Sequence, residues 1–140
     1  MMIFLEKLLL NIIIFYYIAL EFNKSVTDIR GTILFCSFGK KLLNFVETKR
    51  GFSRGGHYHK FQSDHILLRG KIKFKELNLD TNFEQIQIIR APYTISVAPN
   101  TAHLLTALED SLFLEHFELE YTAIDYPPYR RIVLEKMKLQ

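Results

Sequence analysis

The sequence has one cysteine and no long uninterrupted apolar run, and each of these two shortages excludes something. A single Cys36 among 140 residues rules out an internal disulfide and fits a reducing compartment such as the cytoplasm. Basic residues exceed acidic ones by only three and are scattered, so a contiguous basic face for nucleic acid is not expected. With 49% hydrophobic residues, the chain is long enough for one packed domain and too short for two.

The most apolar stretch is residues 1–20. Glu6, Lys7 and Asn11 interrupt it, so its apolar runs are shorter than the roughly 20 residues that cross a bilayer. It also lacks the basic start and the cleavage pattern of a signal peptide. We interpret residues 1–24 as an apolar extension, packed on the domain or on a second subunit or lying outside the core fold, in preference to a membrane anchor. Residues 25–140 are then the domain.

From Thr27 onward, short apolar segments alternate with turn residues, as in a β-sandwich or barrel. Twelve phenylalanines and seven tyrosines also favour strands. Ile72 and Phe74 alternate with lysines, which predicts a strand with one buried face. We predict one hairpin around Gly70 and a last hairpin around residues 109–111. In the tail, the prolines predict an extended segment over residues 126–131, followed by a short helix.

Three histidines stand out by their spacing. His57 and His59 flank one residue, and side chains alternate between the two faces of a strand, so both imidazoles are expected on the same face. His103 joins them if its strand lies alongside, as in a small antiparallel barrel with a pocket in its mouth. Such a pocket suits a divalent metal, or an acid/base pair acting on a bound substrate.

These residues resemble the two sequence motifs of the cupin superfamily. The first motif has two histidines one residue apart, then an acidic residue and a glycine; His57, His59 and Gly70 match it. The second is a turn followed by a histidine on a strand, and His103 after Pro99 matches it. The resemblance implies an all-β fold, a cupin-type antiparallel β-barrel or jelly roll, preceded by the apolar extension.

Three neighbouring residues are candidates for the acidic position of the first motif. Asp64 stands nearest to it, and Ser63 and His65 are the alternatives. In metal-binding cupins this set holds a divalent transition metal such as Mn, Fe, Ni or Zn. The resemblance therefore implies the following ligands if a metal is bound: His57, His59, Asp64 and His103.

Residues 28–31 and 54–60 resemble the sugar-nucleotide branch of the cupins, which includes dTDP-4-keto-6-deoxyglucose 3,4-ketoisomerases and, more distantly, 3,5-epimerases. In the ketoisomerases a histidine pair moves protons without a metal, which implies His57 and His59 as catalytic residues here. A nucleotide diphosphate would need cationic partners. The candidates for substrate binding are Arg54, Lys60 and Arg69.

Three functions follow from these patterns. The first is an isomerase or epimerase acting on a nucleotide-linked 4-keto-6-deoxy hexose by histidine acid/base catalysis. The second is a metal-binding cupin, either an enzyme or a small-ligand binding module, and the third is a module without chemistry. Glu115 and Glu118 lie on the last predicted strand, and one of them can enter the barrel. We also predict a homodimer, because a single barrel leaves apolar edge surface.

Overall fold

The computed structural model describes residues 19–117 and 122–139, together with residue 6. Most of the predicted N-terminal extension and Glu118 lie outside these residues. Most of the described chain is β-strand. Its strands are β1 (Leu20–Asp28), β2 (Gly31–Phe38), β3 (Lys41–Thr48), β4 (Ser53–Tyr58), β5 (Ser63–Arg69), β6 (Lys71–Asn78), β7 (Glu84–Arg90), β8 (Tyr93–Val97), β9 (Thr101–Ala107), β10 (Ser111–Phe117) and β11 (Ile124–Asp125), and its helix is α1 (Pro127–Lys138).

The strands form two antiparallel sheets. Sheet 1 has the order β1-β2-β3-β10-β5-β8, and sheet 2 has the order β11-β4-β9-β6-β7. The main hydrophobic core takes side chains from both sheets, for example Phe113 of sheet 1 and Phe74 of sheet 2. The all-β, jelly-roll fold predicted from sequence is confirmed, and so is the buried face of β6, where Ile72 and Phe74 are 1% and 3% exposed.

Both predicted hairpins are wrong, and for the same reason. Gly70 joins β5 of sheet 1 to β6 of sheet 2, and residues 108–110 join β9 of sheet 2 to β10 of sheet 1. Gly70 has φ +97°, and a Cβ there would lie 2.6 Å from the Asp110 carbonyl oxygen. These two connections between the sheets therefore pack against each other at one corner of the sandwich. Each is a short turn between strands that do not pair.

The helix explains why every residue of β9 is buried. One face of β9 carries His103 and Leu105 into the barrel, and the other is covered by α1, where Ala102 and Leu104 pack against Tyr129. The tail prediction was wrong in its bounds: the prolines do not keep the chain extended but occupy the first two helical positions. Proline is favoured there because the first N–H groups of a helix have no intrahelical acceptor.

Candidate functional site

A glycine pair in β4 sets the position of the first histidine. Gly55 and Gly56 have φ of +93° and +79°, and the β4–β9 register shifts between Gly55 and His57. A Cβ on Gly55 would lie 2.6 Å from the His103 carbonyl oxygen, so no larger residue fits this approach. Beyond this bulge His57 pairs directly with His103 of β9, which places the two imidazoles side by side.

The structure brings His57, His59 and His103 together, as their spacing predicts. Ring centroids are 4.8 Å apart for His57 and His59, 4.9 Å for His57 and His103, and 5.4 Å for His59 and His103. One ring nitrogen from each lies within 4.8 Å of the others. His59 and His103 are buried, and His57 is half-buried where the group meets a cavity.

Backbone carbonyls determine which nitrogens carry protons. His59 Nδ1 lies 2.7 Å from the Thr122 carbonyl oxygen, and His103 Nδ1 lies 3.1 Å from that of Thr101. A carbonyl oxygen only accepts, so each Nδ1 donates and each Nε2 keeps its lone pair. The buried Nε2 of His103 has no hydrogen-bond partner among the described residues. In His103 this pattern, with Nδ1 bonded to a carbonyl and Nε2 without a partner among the described residues, is typical of metal-ligating histidines.

Burial keeps these imidazoles neutral. Loss of hydration is the largest cause that lowers the pKa of His57, and together with the neighbouring His103, His59 and Arg130 it brings that pKa to about 3. Burial also lowers the pKa of His103 to about 4 against the opposing hydrogen bond to Thr101. The pKa of His59 is lowered by burial as well. Neutral imidazole is the form that binds metal, whereas a histidine that exchanges protons near pH 7 needs a pKa close to that value.

The donor set fits a divalent transition metal. Three neutral nitrogens in a buried pocket are ligands that such ions accept readily. Nitrogens around one ion at about 2.0–2.1 Å lie roughly 3–3.5 Å apart, so the widest pair here, at up to 4.8 Å, must close by roughly 1.3–1.8 Å. The three histidines can therefore hold a metal ion after a small adjustment of their rings.

The structure does not bring the predicted fourth ligand to this group. The Asp64 carboxylate accepts hydrogen bonds from Ser96 Oγ at 2.8 Å and from Gln62 Nε2 at 3.4 Å, at the exposed surface. Ser63 and His65, the alternatives for this position, are buried on the opposite face of β5, with Ser63 Oγ 3.4 Å from His65 Nε2. The face of β5 that turns inward therefore offers a hydroxyl and an imidazole.

A half-buried carboxylate, whose orientation the sequence left open, lies beside these residues. Glu115 of β10 pairs with His65 of β5, and its Oε1 lies 3.7 Å from His65 Nδ1. Burial raises the pKa of Glu115 to about 7, against a hydrogen bond from Asn44 and the charge of Arg54, which favour its ionised form. The pKa of His65 is lowered well below its usual value, chiefly by burial. The His65 ring also lies 5.4 Å from that of His103, so this pair borders the histidine group.

A cavity of about 290 Å³ opens onto His57 and Glu115. Arg54, one of the three predicted substrate-binding cations, lines it, but its guanidinium is held by backbone carbonyls, including that of Glu47 at 2.8 Å. Lys60 is exposed in the loop after β4, and Arg69 lines a separate cavity with Arg50 and acidic residues. The structure therefore does not bring the three predicted cations together.

Two other arginines line the cavity, and sequence reasoning did not single them out. Arg30 comes from the turn between β1 and β2, and Arg130 from the first turn of α1. The Asp-Ile-Arg-Gly motif was a signal for Arg30. Nothing local in the sequence points to Arg130, because only the packing of α1 on β4 brings it to the cavity.

In the part of the chain that the structure describes, no helix is long and apolar enough to span a membrane.

Two facing antiparallel sheets with histidines pointing between them define the cupin-type jelly roll. Solved structures support this fold. Oxalate decarboxylase of Bacillus subtilis, from work on its Mn(II) centres, matches with a TM-score of 0.65 and 17% identity over 74% of this chain and 30% of that one. The capsular polysaccharide assembling protein CapF of Staphylococcus aureus matches with a TM-score of 0.61 and 13% identity over 76% of this chain and 34% of that one.

The chain thus spans about a third of the length of these neighbours. At such low identity the likeness concerns the fold. By sequence, no family model and no curated protein matches the chain.

Proposed function

We propose that this protein binds one divalent transition metal through His57, His59 and His103 and acts on, or senses, a small molecule in the adjacent cavity. The observation that carries the proposal is the direction of the ring hydrogen bonds. His59 and His103 each donate from Nδ1 to a backbone carbonyl, which leaves Nε2 as the ligand atom. The Mn(II) centres of the structurally similar oxalate decarboxylase support the same reading.

The residues around the group suit this role. When bound, the metal would act as a Lewis acid on an oxygen of the ligand. His57 lies at the boundary between the group and the cavity, so it contacts both. The Glu115 carboxylate, with its raised pKa, can hold a proton at the cavity wall near neutral pH. Elsewhere around the group, buried phenyl rings such as Phe117 exclude water.

Elemental analysis of protein purified without added metal, and again after reconstitution with Mn, Fe, Ni or Zn, tests the proposal. We expect about one ion per chain in the wild type. The double variant His57→Ala/His59→Ala should lose it while remaining folded, because ligand loss removes affinity for the ion. His116→Ala is the control, since His116 lies on β10 next to Glu115 and faces away from the group. Unchanged metal stoichiometry in the double variant would refute the assignment.

Asp64→Asn examines the ligand that the sequence motif implies. Because the Asp64 carboxylate is bonded to Ser96 at the surface, we expect metal content to stay at the wild-type value. Loss of the ion in this variant, with the fold intact by circular dichroism, would show that β5 rearranges to supply a fourth ligand.

The second candidate is the sugar-nucleotide isomerase or epimerase. It is favoured by His57, which reaches a cavity with an arginine-rich wall, and by the fold shared with a capsular polysaccharide assembling protein. It predicts exchange of a solvent deuteron into C3 of a dTDP-4-keto-6-deoxy sugar, slowed by roughly 10²- to 10⁴-fold in His57→Asn. Absence of exchange, together with stoichiometric metal, would leave the metal-binding function alone.

A further inference from the structure

Arg130 is fixed against the strand that carries the histidines. Tyr126, the residue before α1, donates its backbone N–H to the Gly56 carbonyl at 2.9 Å, and Asp125 pairs with His57 across β11 and β4. A Cβ on Gly56 would lie 2.7 Å from Arg130 Cα, so the helix backbone rests directly on the glycine. The backbone of Arg130 is therefore held directly against β4, next to His57.

The three arginines of the cavity differ in how their donors are used. Arg30 is bound to both carboxylate oxygens of Asp28, at distances between 2.6 and 3.2 Å. Arg54 is buried and bonded to the carbonyls of Glu47 and Gly31. Arg130 makes one long hydrogen bond within the described residues, from Nη1 to the Gly55 carbonyl at 3.3 Å. A guanidinium has five N–H donors, so Arg130 retains most of them for a ligand.

The size and charge of the cavity define the ligand class. About 290 Å³ is at the small end of ligand pockets, which run from roughly 300 to 1,000 Å³. The charge of Arg30 is paired with Asp28, so Arg54 and Arg130 remain opposite two carboxylates, Asp125 and Glu115, and the raised pKa of Glu115 removes part of that negative charge near pH 7. A small molecule that carries a carboxylate or phosphate group suits this wall better than a whole nucleoside diphosphate.

We propose that Arg130 anchors the oxyanion of a small carboxylate- or phosphate-bearing ligand beside His57. This proposal rests on the proposed function, because it specifies what the cavity next to the histidine group takes. A planar guanidinium binds two oxygens of one carboxylate or phosphate at once, which fixes the orientation of the ligand as well as its place.

Isothermal titration calorimetry on the full chain tests the proposal, with malonate, inorganic phosphate and dTDP as probes, before and after metal loading. We expect malonate or phosphate to bind the wild type, and the stronger of the two identifies the anion. Arg130→Ala should weaken this binding about 10- to 100-fold, the usual range for a charged hydrogen-bonding partner. Arg130→Lys should recover part of the affinity, because it keeps the charge and loses the fork.

Arg131→Ala is the matched control, since Arg131 is the next residue of α1, carries the same charge and is exposed. It should change affinity by less than about twofold, as expected for an exposed charge. Equal losses of anion affinity in Arg130→Ala and Arg131→Ala would mean that the anion responds only to the overall positive charge of α1. That result would overturn the proposal. Failure of malonate and phosphate to bind the wild type, or binding of dTDP alone, would overturn it too.

The metal assignment and the anion subsite can be tested independently. Arg130→Ala should keep the wild-type metal stoichiometry, because Arg130 is outside the three-histidine group. If no variant or wild-type protein holds metal while malonate binding still depends on Arg130, the metal assignment fails and the anion subsite stands. If metal binds as proposed and Arg130→Ala leaves anion affinity unchanged, the metal assignment stands and the anion subsite fails.

Discussion

Burial acts on the acids and the bases of this site in opposite directions. It lowers the pKa of His57 and His103 and raises that of Glu115, because it disfavours whichever form is charged. The histidines are therefore neutral near pH 7, and Glu115 is poised between its two forms. Most of the charge in the barrel is then carried by the arginines at its mouth, which favours an anion there.

Glu115→Gln should stabilise the metal-free protein at neutral and alkaline pH. The pKa of Glu115 is about 7 in the folded state and 4.5 when unperturbed. Between these values the folded state holds a proton that the unfolded state has released, so the wild type loses stability as the pH rises through this window. The variant avoids this loss. Because a fifth of the side chain is exposed, the gain above pH 7 should be at most about 3 kcal/mol.

Urea unfolding between pH 5 and 8.5 measures this difference. We expect the stability gap between Glu115→Gln and the wild type to be small near pH 5, to widen up to about pH 7 and to stay constant above it. Glu135→Gln, which removes a carboxylate from the exposed face of α1, is the control and should show no such widening. A gap that does not change with pH would contradict the raised pKa of the Glu115 carboxyl in the folded state.

At this scale the sequence predicts the residues whose placement depends on alternation along a strand. His57 and His59 follow from their spacing, and His103 from the idea of a neighbouring strand. Asp64 and His65 differ by one residue, and a shift of one residue reverses the face of a strand, so only the register of β5 decides which enters the barrel. Arg130 depends on a helix packing against β4, which no local pattern encodes.

Among the elements, α1 and the β4 bulge form one unit. Gly56 serves both, since its φ of +79° belongs to the bulge and its missing side chain lets the helix approach. We expect Gly56→Ala to destabilise the protein through both effects. Strain at positive φ costs about 1–2 kcal/mol, and overpacking against Arg130 adds roughly 1–3 kcal/mol.

Gly39→Ala separates the two effects in the same urea unfolding experiment. Gly39 also has positive φ, at +61°, but a Cβ there would meet nothing within 4 Å. Gly39→Ala should therefore lose only the free energy of unfolding that the backbone strain costs, and it should be clearly more stable than Gly56→Ala. Equal losses for the two variants would mean that α1 does not depend on the close approach at Gly56.

The strands themselves were largely predictable, but their partners were not. The turn glycines and the alternation in β6 mark where strands begin and which face is buried. In the sequence, a short connection such as Gly70 has the same pattern whether the next strand pairs in the same sheet or lies in the other sheet. The choice depends on long-range packing, here the contact between Gly70 and Asp110, so the predicted hairpins failed although the strand positions held.

At the scale of the whole molecule, β1 is the strand that the described part of one chain leaves exposed at a sheet edge. It lies at the edge of sheet 1, pairs with β2 alone among the described strands, and is exposed over almost all of its length. Phe22 is 64% exposed, and Leu20 and Val26 are about half exposed. Proteins rarely leave a long apolar edge strand uncovered, because it invites pairing with another chain.

We therefore predict a homodimer in which β1 of one copy covers the same edge of another, and we expect sedimentation equilibrium to give twice the 16.5 kDa chain mass. Phe22→Glu should shift the protein to the monomer, because it places a charge in the buried part of the interface. Phe83→Glu is the matched control: Phe83 is 63% exposed, and it lies beside β7, the edge of the other sheet. A wild-type monomer, or a dimer that only Phe83→Glu dissociates, would contradict the assignment to β1.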